Sequence, residues 1–244
     1  MQMSEKEKND LSIVMPCLNE ENTVGICVEK AGQFMEKYNI IGEIIVVDNG
    51  SEDSSVQKAS EHGARVIEEP ERGYGRAIRT GIAGSTGRVI IIGDADTTYD
   101  FEHLEELYQP VADGSFDMVI GNRFAGGMEK GAMSLSHRLG VRFLSFCGRK
   151  RYGVDVYDFH CGLRAVSKSA AEKLHFSTDG MEFATEMIAK AAKNNLRIRQ
   201  VPVSLGKCAY KRKSKLRTVR DGFRHLRYIL FTKKPEKYHK KETN

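Results

Sequence analysis

The sequence predicts an α/β fold in which a mostly parallel sheet is flanked by helices, and two observations carry that prediction. Strand-like and helix-like segments alternate through the first half of the chain, which is typical of parallel strands joined by helices that cover both faces of a sheet. The apolar run Val89–Ile92 has no polar residue at alternate positions, as expected of a strand buried on both faces.

The predicted elements follow one another in order up to residue 122. Strands are predicted at 11–15, 44–47, 64–67, 89–92 and 118–121, and helices at 24–38, 54–62, 76–83 and 101–111. Glycine-rich loops and longer helices follow, with one further strand predicted at 198–204. No linker or internal repeat interrupts the chain, so we expect a single domain over residues 1–232 and a basic, disordered tail at 233–244.

The composition favours a globular protein over a disordered or membrane-spanning one. Hydrophobic residues make up 40% and charged residues 29% of the 244 positions. No apolar run approaches the ~20 residues that a membrane span needs, and the polar N-terminal sequence has no signal-peptide pattern. Five scattered cysteines without a C-x-x-C pair are typical of reduced thiols, so we expect a cytoplasmic protein.

Charge is distributed unevenly along the chain. From Lys207 to the C-terminus there are 14 Lys or Arg and 3 Asp or Glu, whereas residues 1–206 hold 24 basic and 30 acidic residues. A basic segment on a neutral-to-acidic body suggests an anionic partner. Nucleic acid is a distant alternative, because the segment has few aromatic residues and no nucleic-acid-binding motif.

The basic segment also predicts an amphipathic helix. Five apolar residues recur at helical spacing beside a stripe of arginines. The apolar residues are Leu216, Val219, Phe223, Leu226 and Leu230, and the arginines are Arg217, Arg220, Arg224 and Arg227. Such a helix docks on the protein's own core or lies on an anionic membrane surface, and both can hold in part.

Two carboxylates, Asp94 and Asp96, follow directly after the strand 89–92. Open α/β sheets place their ligands at the C-terminal ends of the strands. Two hard oxygen anions at i and i+2 suit Mg²⁺ or Mn²⁺ that also holds a diphosphate. The alternative is a solvated turn, because aspartate is common after strands.

The other early strands also end in polar groups. The first is followed by Pro16 to Glu20, the second by Asp48 to Ser54, and the third by Glu71 to Ala77. If these segments share one edge, Glu20 and Asp48 can accept hydrogen bonds from a base or ribose, while Gly73 and Gly75 allow a close backbone approach. Neither G-x-x-x-x-G-K-[ST] nor an early G-x-G-x-x-G occurs, so the P-loop and classical dinucleotide classes lack their motifs.

Six segments in order and spacing resemble the inverting family 2 glycosyltransferases. They are IVMPCLNEENTV, IIVVDNGSEDSS, ERGYGRAIRTGI, IIGDADTTYD, VIGNRF and VDVYDFHCGLRAV. The resemblance covers roughly residues 11–230 and is greatest to the polyprenyl- or dolichyl-phosphate mannose and glucose synthase branch. It implies a GT-A fold, a Rossmann-like and mostly parallel sheet flanked by helices. One departure is Asn49, where many members carry a second aspartate.

The resemblance implies roles for matching positions. The donor-binding residues would be Pro16, Asn19, Glu20, Asp48, Asn49, Gly73, Arg76, Asp94 and Ala95. Asp94 and Asp96 would hold the metal. Arg123 and Arg138 would face an acceptor phosphate, Asp158 and Arg164 would lie beside the reacting centre, and Lys215 would belong to a closing loop.

Two acceptors remain open at this stage. A lipid phosphate is already anionic, so cations that position it can carry most of the catalysis without a strong base. A sugar hydroxyl needs a carboxylate base, for which Asp158 and Glu186 are the candidates. We expect transfer from UDP-glucose or GDP-mannose to a polyprenyl or dolichyl phosphate, by a peripheral protein at the cytoplasmic face of a membrane, which can also use a separate membrane partner.

Overall fold

The structure is a computed structural model that describes residues 9–210 and 218–232. Within these ranges seven strands form one mixed sheet with nine helices around it. The strands are β1 (Leu11–Cys17), β2 (Gly42–Asp48), β3 (Arg65–Glu68), β4 (Val89–Ile92), β5 (Met118–Asn122), β6 (Arg164–Ser167) and β7 (Ile198–Pro202). The helices are α1 (Val24–Lys37), α2 (Ser55–Glu61), α3 (Tyr74–Gly84), α4 (Glu105–Ala112), α5 (Arg123–Gly126), α6 (Leu135–Tyr152), α7 (Lys168–Leu174), α8 (Phe183–Lys193) and α9 (Thr218–Phe231).

The first four strands are parallel, as predicted. The order across the sheet is β3-β2-β1-β4-β6-β5-β7, and β1 pairs in parallel with both β2 and β4. Every residue of β4 is buried, which agrees with its continuous apolar sequence. The C-terminal ends of β1, β2 and β4 therefore share one edge of the sheet, where the sequence predicts a ligand site.

Strand β6 is a strand that the sequence analysis missed. It runs antiparallel between β4 and β5, with Ile92 opposite Arg164. Its four residues, Arg-Ala-Val-Ser, are too few to show a strand period, and the buried arginine at its start has no alternating pattern around it. Because β6 is antiparallel, it begins at the edge where β4 ends, so the loop 158–163 reaches that same edge.

The start of α4 differs from the predicted one, and the start of α1 is held by a contact that the sequence does not predict. The predicted helix at 101–111 begins only at Glu105, since Phe101 and Leu104 are completely buried in the preceding turn. Thr23 stands at the N-cap of α1, but its hydroxyl donates to the Ala95 carbonyl oxygen at 2.8 Å rather than capping the helix. That bond joins the loop after β1 to the loop after β4.

The amphipathic C-terminal helix is present as α9, but its predicted apolar stripe does not form the inward face. Asp221, His225 and Ile229 are buried, whereas Phe223 is 69% and Leu230 is 56% exposed. The helix packs against α6 and α8, and those neighbours select the face that carries Ile229. Leu216, Arg217 and the tail 233–244 lie outside the described residues.

No helix in the described part of the chain is long and apolar enough to span a bilayer. All five cysteine thiols are free, and Cys17, Cys27 and Cys161 are buried.

Candidate active site

A cavity of about 520 Å³ opens at the C-terminal edge of β1, β2 and β4. Its wall combines the strand ends with the loop 158–163 and with the inner faces of α6 and α9. Helix α6 contributes His137, Gly140, Val141 and Leu144, and helix α9 contributes Asp221, Gly222 and His225. The edge that the strand-end residues predict is thus a closed-in site with a helical wall opposite it.

Most of the predicted donor-binding residues line this cavity. Those in its wall are Pro16, Glu20, Asn49, Gly73, Asp94 and Ala95. The Asn49 side chain donates to the carbonyl oxygens of Glu69 and Glu71 and accepts from the Gly73 backbone N–H. An aspartate could not make the two donations, so Asn49 ties the loops after β2 and β3 together where the family often has a second carboxylate.

Three predicted donor-binding residues lie outside the cavity wall, among them Asp48, whose carboxylate accepts the backbone N–H groups of Gly50 and Ser51. Asn19 is exposed, with a positive φ of 52°, and its side chain accepts from the backbone of Glu52. These two residues shape the loops. Their contact with a nucleoside remains a prediction.

Arg76 is the third of these residues. Its guanidinium pairs with Glu69 and Glu71 at 3.1 Å and with Asp179 at 3.7 Å. These carboxylates hold it at the base of α3, away from the cavity wall.

The close approach expected at Gly73 and Gly75 is made by the protein's own backbone. A Cβ at Gly73 would lie 2.4 Å from the Asp179 carbonyl oxygen, and one at Gly75 would lie 2.6 Å from that of Thr178. The Gly75 backbone N–H also donates to the Asp179 carbonyl at 2.9 Å. These glycines therefore allow the loop 178–180 to pack on the start of α3. Gly73 also lines the cavity, and its contact with a ligand remains a prediction.

Asp94 and Asp96 both line the cavity. Asp94 accepts a hydrogen bond from the Tyr74 hydroxyl at 3.0 Å, and burial together with the Asp94 charge raises the pKa of Tyr74 well above its usual range. Asp96 accepts from the backbone N–H and the hydroxyl of Thr98. Both carboxylates are thus oriented by neighbours before any ligand binds.

The residue after this pair, Thr97, has a φ of +61°, which is unfavourable for a β-branched side chain. Its hydroxyl donates to the Asp96 carbonyl at 2.6 Å and accepts from the Ala209 backbone at 3.0 Å. The Gly206 backbone donates to the Thr98 carbonyl at 2.9 Å. The segment 206–209 thereby holds the carboxylate loop in its strained conformation.

The carboxylate pair fits a divalent cation that is shared with a ligand. Among residues 9–210 and 218–232, no group of three or more His, Cys, Asp or Glu side chains is arranged to hold a metal ion. Mg²⁺ is usually held in proteins by one or two carboxylates, with water and substrate phosphates completing its shell. Asp94 and Asp96 suit that mode of binding.

Arg123 and Asp158 form a buried, bidentate ion pair. The Arg123 Nε lies 2.7 Å from Asp158 Oδ2, and Nη2 lies 2.8 Å from Oδ1. The Asp158 carboxylate also accepts the backbone N–H groups of Arg123 and His160, and its side chain is fully buried. Arg123 lines the cavity and Asp158 does not, so the contact of Asp158 with the site is its pairing with Arg123.

The other predicted general base, Glu186, lies away from the cavity wall. Its carboxylate accepts from the backbone and hydroxyl groups of Ser177 and Thr178 and pairs with Lys190. Burial raises the pKa of Glu186, but the hydrogen bonds from Lys190, Thr178 and Ser177 outweigh it and lower the pKa. The loop 177–178 therefore uses this carboxylate as an anchor.

Arg164 has a structural role as well. Its guanidinium donates to the carbonyl oxygens of Phe159, Cys161 and Ala184 at 2.7–2.8 Å. Arg138 is exposed on α6 and does not line the cavity. Lys215 lies outside the described residues. The roles of Arg138 and Lys215 toward an acceptor remain predictions.

Three histidines in the cavity wall were missed as a group by the sequence analysis. They are His137, His160 and His225. The rings of His160 and His225 meet edge to face with centroids 4.3 Å apart, and the Thr185 hydroxyl lies 2.8 Å from His225 Nδ1. Burial, together with Arg164 and Arg224, lowers the pKa of His225 to about 3. For His225, the available signal in the sequence was its spacing of four residues from Asp221 on one helix.

The buried neutral histidine predicts a pH dependence of stability. An unfolded histidine binds a proton near pH 6.5, whereas folded His225 does so only near pH 3. Between these values the unfolded chain binds more protons, so the free energy of unfolding should fall as the pH falls from about 7 to about 5. Urea denaturation across this range measures it, and His225→Gln should flatten the slope. The exposed His103→Gln should keep it, and an unchanged slope in His225→Gln would contradict the assignment.

Sequence comparison gives the class and the family of the chain. Residues 12–175 match the family described as glycosyl transferase family 2. The chain belongs to glycosyl transferase family 2 and is a glycosyltransferase.

The most similar relatives include archaeal proteins. The chain is 38% identical over 221 residues, 90% of its length, to the low-salt glycan biosynthesis hexosyltransferase Agl6 of Haloferax volcanii, but spans only about half (53%) of that protein. It is 33% identical to the uncharacterized protein MJ1222 of Methanocaldococcus jannaschii, over 83% of this chain and 84% of that one. It is 29% identical to the dolichyl-phosphate hexose transferase of Haloferax volcanii, over 82% and 85% of the two chains.

Solved structures confirm the GT-A fold expected from the sequence. Glucosyl-3-phosphoglycerate synthase from Mycobacterium tuberculosis, in complex with phosphoglyceric acid, superimposes with a TM-score of 0.71 at 23% identity. The match covers 92% of this chain and 81% of that one. The same enzyme in complex with Mn²⁺, UDP and glucosyl-3-phosphoglycerate gives a TM-score of 0.70 at 22% identity, over 92% of this chain and 81% of that one.

Proposed function

We propose that the protein transfers a hexose, with inversion, from a nucleoside-diphosphate sugar to a polyprenyl or dolichyl phosphate. The observation that carries the choice of a phosphate acceptor is the state of the two candidate bases. Asp158 is engaged by Arg123 through two hydrogen bonds, and Glu186 is engaged by Ser177, Thr178 and Lys190. A phosphate oxygen is already an anion and needs neither base.

In this proposal the acceptor phosphate oxygen attacks the anomeric carbon as the bond from that carbon to the diphosphate breaks. Pro16, Glu20 and Asn49 line the cavity and would border the nucleoside, and Asp94 and Asp96 would hold Mg²⁺ or Mn²⁺. A divalent cation held there would stabilise the charge that develops on the leaving diphosphate. Arg123, fixed in direction by Asp158, positions the anionic acceptor.

The comparisons support this choice without deciding the sugar or the acceptor. One relative is named dolichyl-phosphate hexose transferase, and a structural neighbour was solved in complex with Mn²⁺, UDP-glucose and phosphoglyceric acid. UDP-glucose is our first choice of donor and GDP-mannose our second. A peripheral position at the cytoplasmic face of a membrane belongs to the same proposal.

The test is transfer from radiolabelled UDP-glucose and GDP-mannose to a polyprenyl phosphate with Mn²⁺ or Mg²⁺. We expect a lipid-extractable product that is lost on addition of EDTA. Release of nucleoside diphosphate with a sugar hydroxyl as acceptor, and no lipid product, would overturn the phosphate acceptor.

A further inference from the structure

Helices α6 and α9 each have one face in the cavity wall and one face that is exposed. Their inner faces form the wall of the cavity, and the helices contact one another. Arg151 of α6 also donates to the carbonyl oxygens of Leu230 and Thr232 at the end of α9, at 3.3 and 2.7 Å. The two helices are therefore joined to each other at the end of α9.

The outer faces are unusually apolar for a protein surface. Of the twelve large hydrophobic side chains that are exposed among residues 9–210 and 218–232, seven belong to these two helices. They are Leu135, Leu139, Phe143 and Phe146 on α6, and Phe223, Leu230 and Phe231 on α9, with exposed fractions from 50% to 82%. Scattered exposed apolar residues are ordinary, but a concentration of them marks a contact surface.

The same faces are basic and carry no exposed carboxylate within the described residues. Arg138, Arg142 and Lys150 on α6 and Arg220 and Arg227 on α9 are exposed between the apolar side chains. Helix α6 has no Asp or Glu in its sequence, and the one acidic residue of α9, Asp221, is buried in the cavity wall. We call these apolar and basic residues together the outer face.

The spacing places each set on one side of its helix. On α6 the residues fall at 135, 138, 139, 142, 143, 146 and 150, and on α9 at 220, 223, 227, 230 and 231, which keeps each set within one stripe. Arg142 also lies over the Phe124 ring, 4.9 Å from its centroid, so less side-chain freedom is lost when it meets an anion.

We propose that the outer face of α6 and α9 docks on an anionic lipid bilayer. Aromatic and leucine side chains between Lys and Arg are the composition of helices that lie in the membrane interface, where basic side chains contact anionic headgroups. Helices of this kind lie in the interface without crossing the bilayer. In its link to the lipid acceptor, the inference rests on the proposed function.

The test is co-sedimentation of the whole chain with vesicles, without donor or metal. We expect binding to phosphatidylglycerol–phosphatidylcholine vesicles that weakens with salt, and much weaker binding to phosphatidylcholine alone. Arg142→Gln with Lys150→Gln should weaken binding about 30-fold. Each basic side chain near an anionic membrane surface contributes about 1 kcal/mol of binding free energy, and this variant removes two. Leu139→Gln with Phe143→Gln should also release the protein from vesicles.

Matched variants away from the outer face serve as controls. Lys58→Gln with Lys173→Gln removes the same charge from α2 and α7, and Ile41→Gln alters an exposed apolar side chain before β2. Both should bind vesicles as the unaltered chain does, and circular dichroism should show all variants folded. Equal binding by the outer-face and control variants would overturn the proposal, as would a dimer in light scattering that the outer-face variants dissociate without any vesicle binding.

The experiment separates this inference from the proposed function. Outer-face variants should keep transfer to a short-chain, water-soluble polyprenyl phosphate and lose it for a long-chain acceptor held in vesicles. Vesicle binding without any lipid-linked product would contradict the proposed reaction and leave the docking surface standing.

Discussion

Replacing Asp158 with alanine is expected to lower the free energy of unfolding by about 3–5 kcal/mol. The substitution leaves the Arg123 guanidinium, only 6% exposed, without its bidentate partner, and removal of one member of a buried ion pair has a cost of this size. Urea denaturation of the purified protein measures the change. Transfer activity should fall as well, because Arg123 is no longer held in one direction.

A double-mutant cycle distinguishes this pairing from loss of packing. Arg123→Met combined with Asp158→Leu removes both charges and should recover much of the stability lost in Asp158→Leu alone, and Arg123→Met alone completes the cycle. The double variant should not recover transfer, since the Arg123 guanidinium, which faces the cavity, is gone. Recovery of activity together with stability would show that Arg123 has no part in positioning the acceptor.

Replacing Asp96 with alanine is expected to reduce kcat/KM for sugar transfer about 1,000-fold. The cation would lose one of its two protein carboxylates, and stabilisation of the leaving diphosphate by a metal contributes several kcal/mol. Asp100→Ala is the matched control, because Asp100 lies four residues further on, pairs with Lys30 and His103 and does not line the cavity.

Two measurements accompany the Asp96 variant. Calorimetry measures the affinity for the donor nucleotide with and without Mn²⁺. We expect Mn²⁺ to raise this affinity in the unaltered protein and not in the Asp96→Ala variant. Urea denaturation should show a free energy of unfolding close to that of the unaltered protein. Transfer by Asp96→Ala at the rate of Asp100→Ala would exclude this carboxylate from the reaction.

The parallel half of the sheet was predictable because its pattern is local. Runs such as Val89–Ile92 carry their burial in their composition, and polar residues directly after them mark the strand ends. The cavity positions of Glu20, Asp94 and Asp96 follow from that pattern. Strand β6 could not be predicted in this way. Its four residues form a strand because they pair with β4 and β5, and their own sequence has no strand pattern.

The family resemblance extended the prediction to single positions but not to their contacts. It predicted that Arg123 and Asp158 belong to the site, yet the ion pair between them joins the start of α5 to a loop 35 residues further along the chain. The resemblance also could not show that Arg76 forms ion pairs with Glu69, Glu71 and Asp179.

The orientation of α9 is the clearest case of tertiary control. Helical spacing defined two stripes, but the packing of α9 on α6 and α8 buried a third one, made of Asp221, His225 and Ile229. A periodic pattern states that a helix has faces, and the neighbours decide which face is covered. The same packing brought His225 to the cavity wall.

Because α6 and α9 form the cavity wall with one face and leave an apolar, basic face outside, docking on a bilayer and access to a lipid acceptor would involve the same two helices. A protein held by that outer face would search for its acceptor in two dimensions. Its rate would then follow the mole fraction of acceptor within the bilayer, and diluting the acceptor with inert lipid would slow turnover even at a constant bulk concentration.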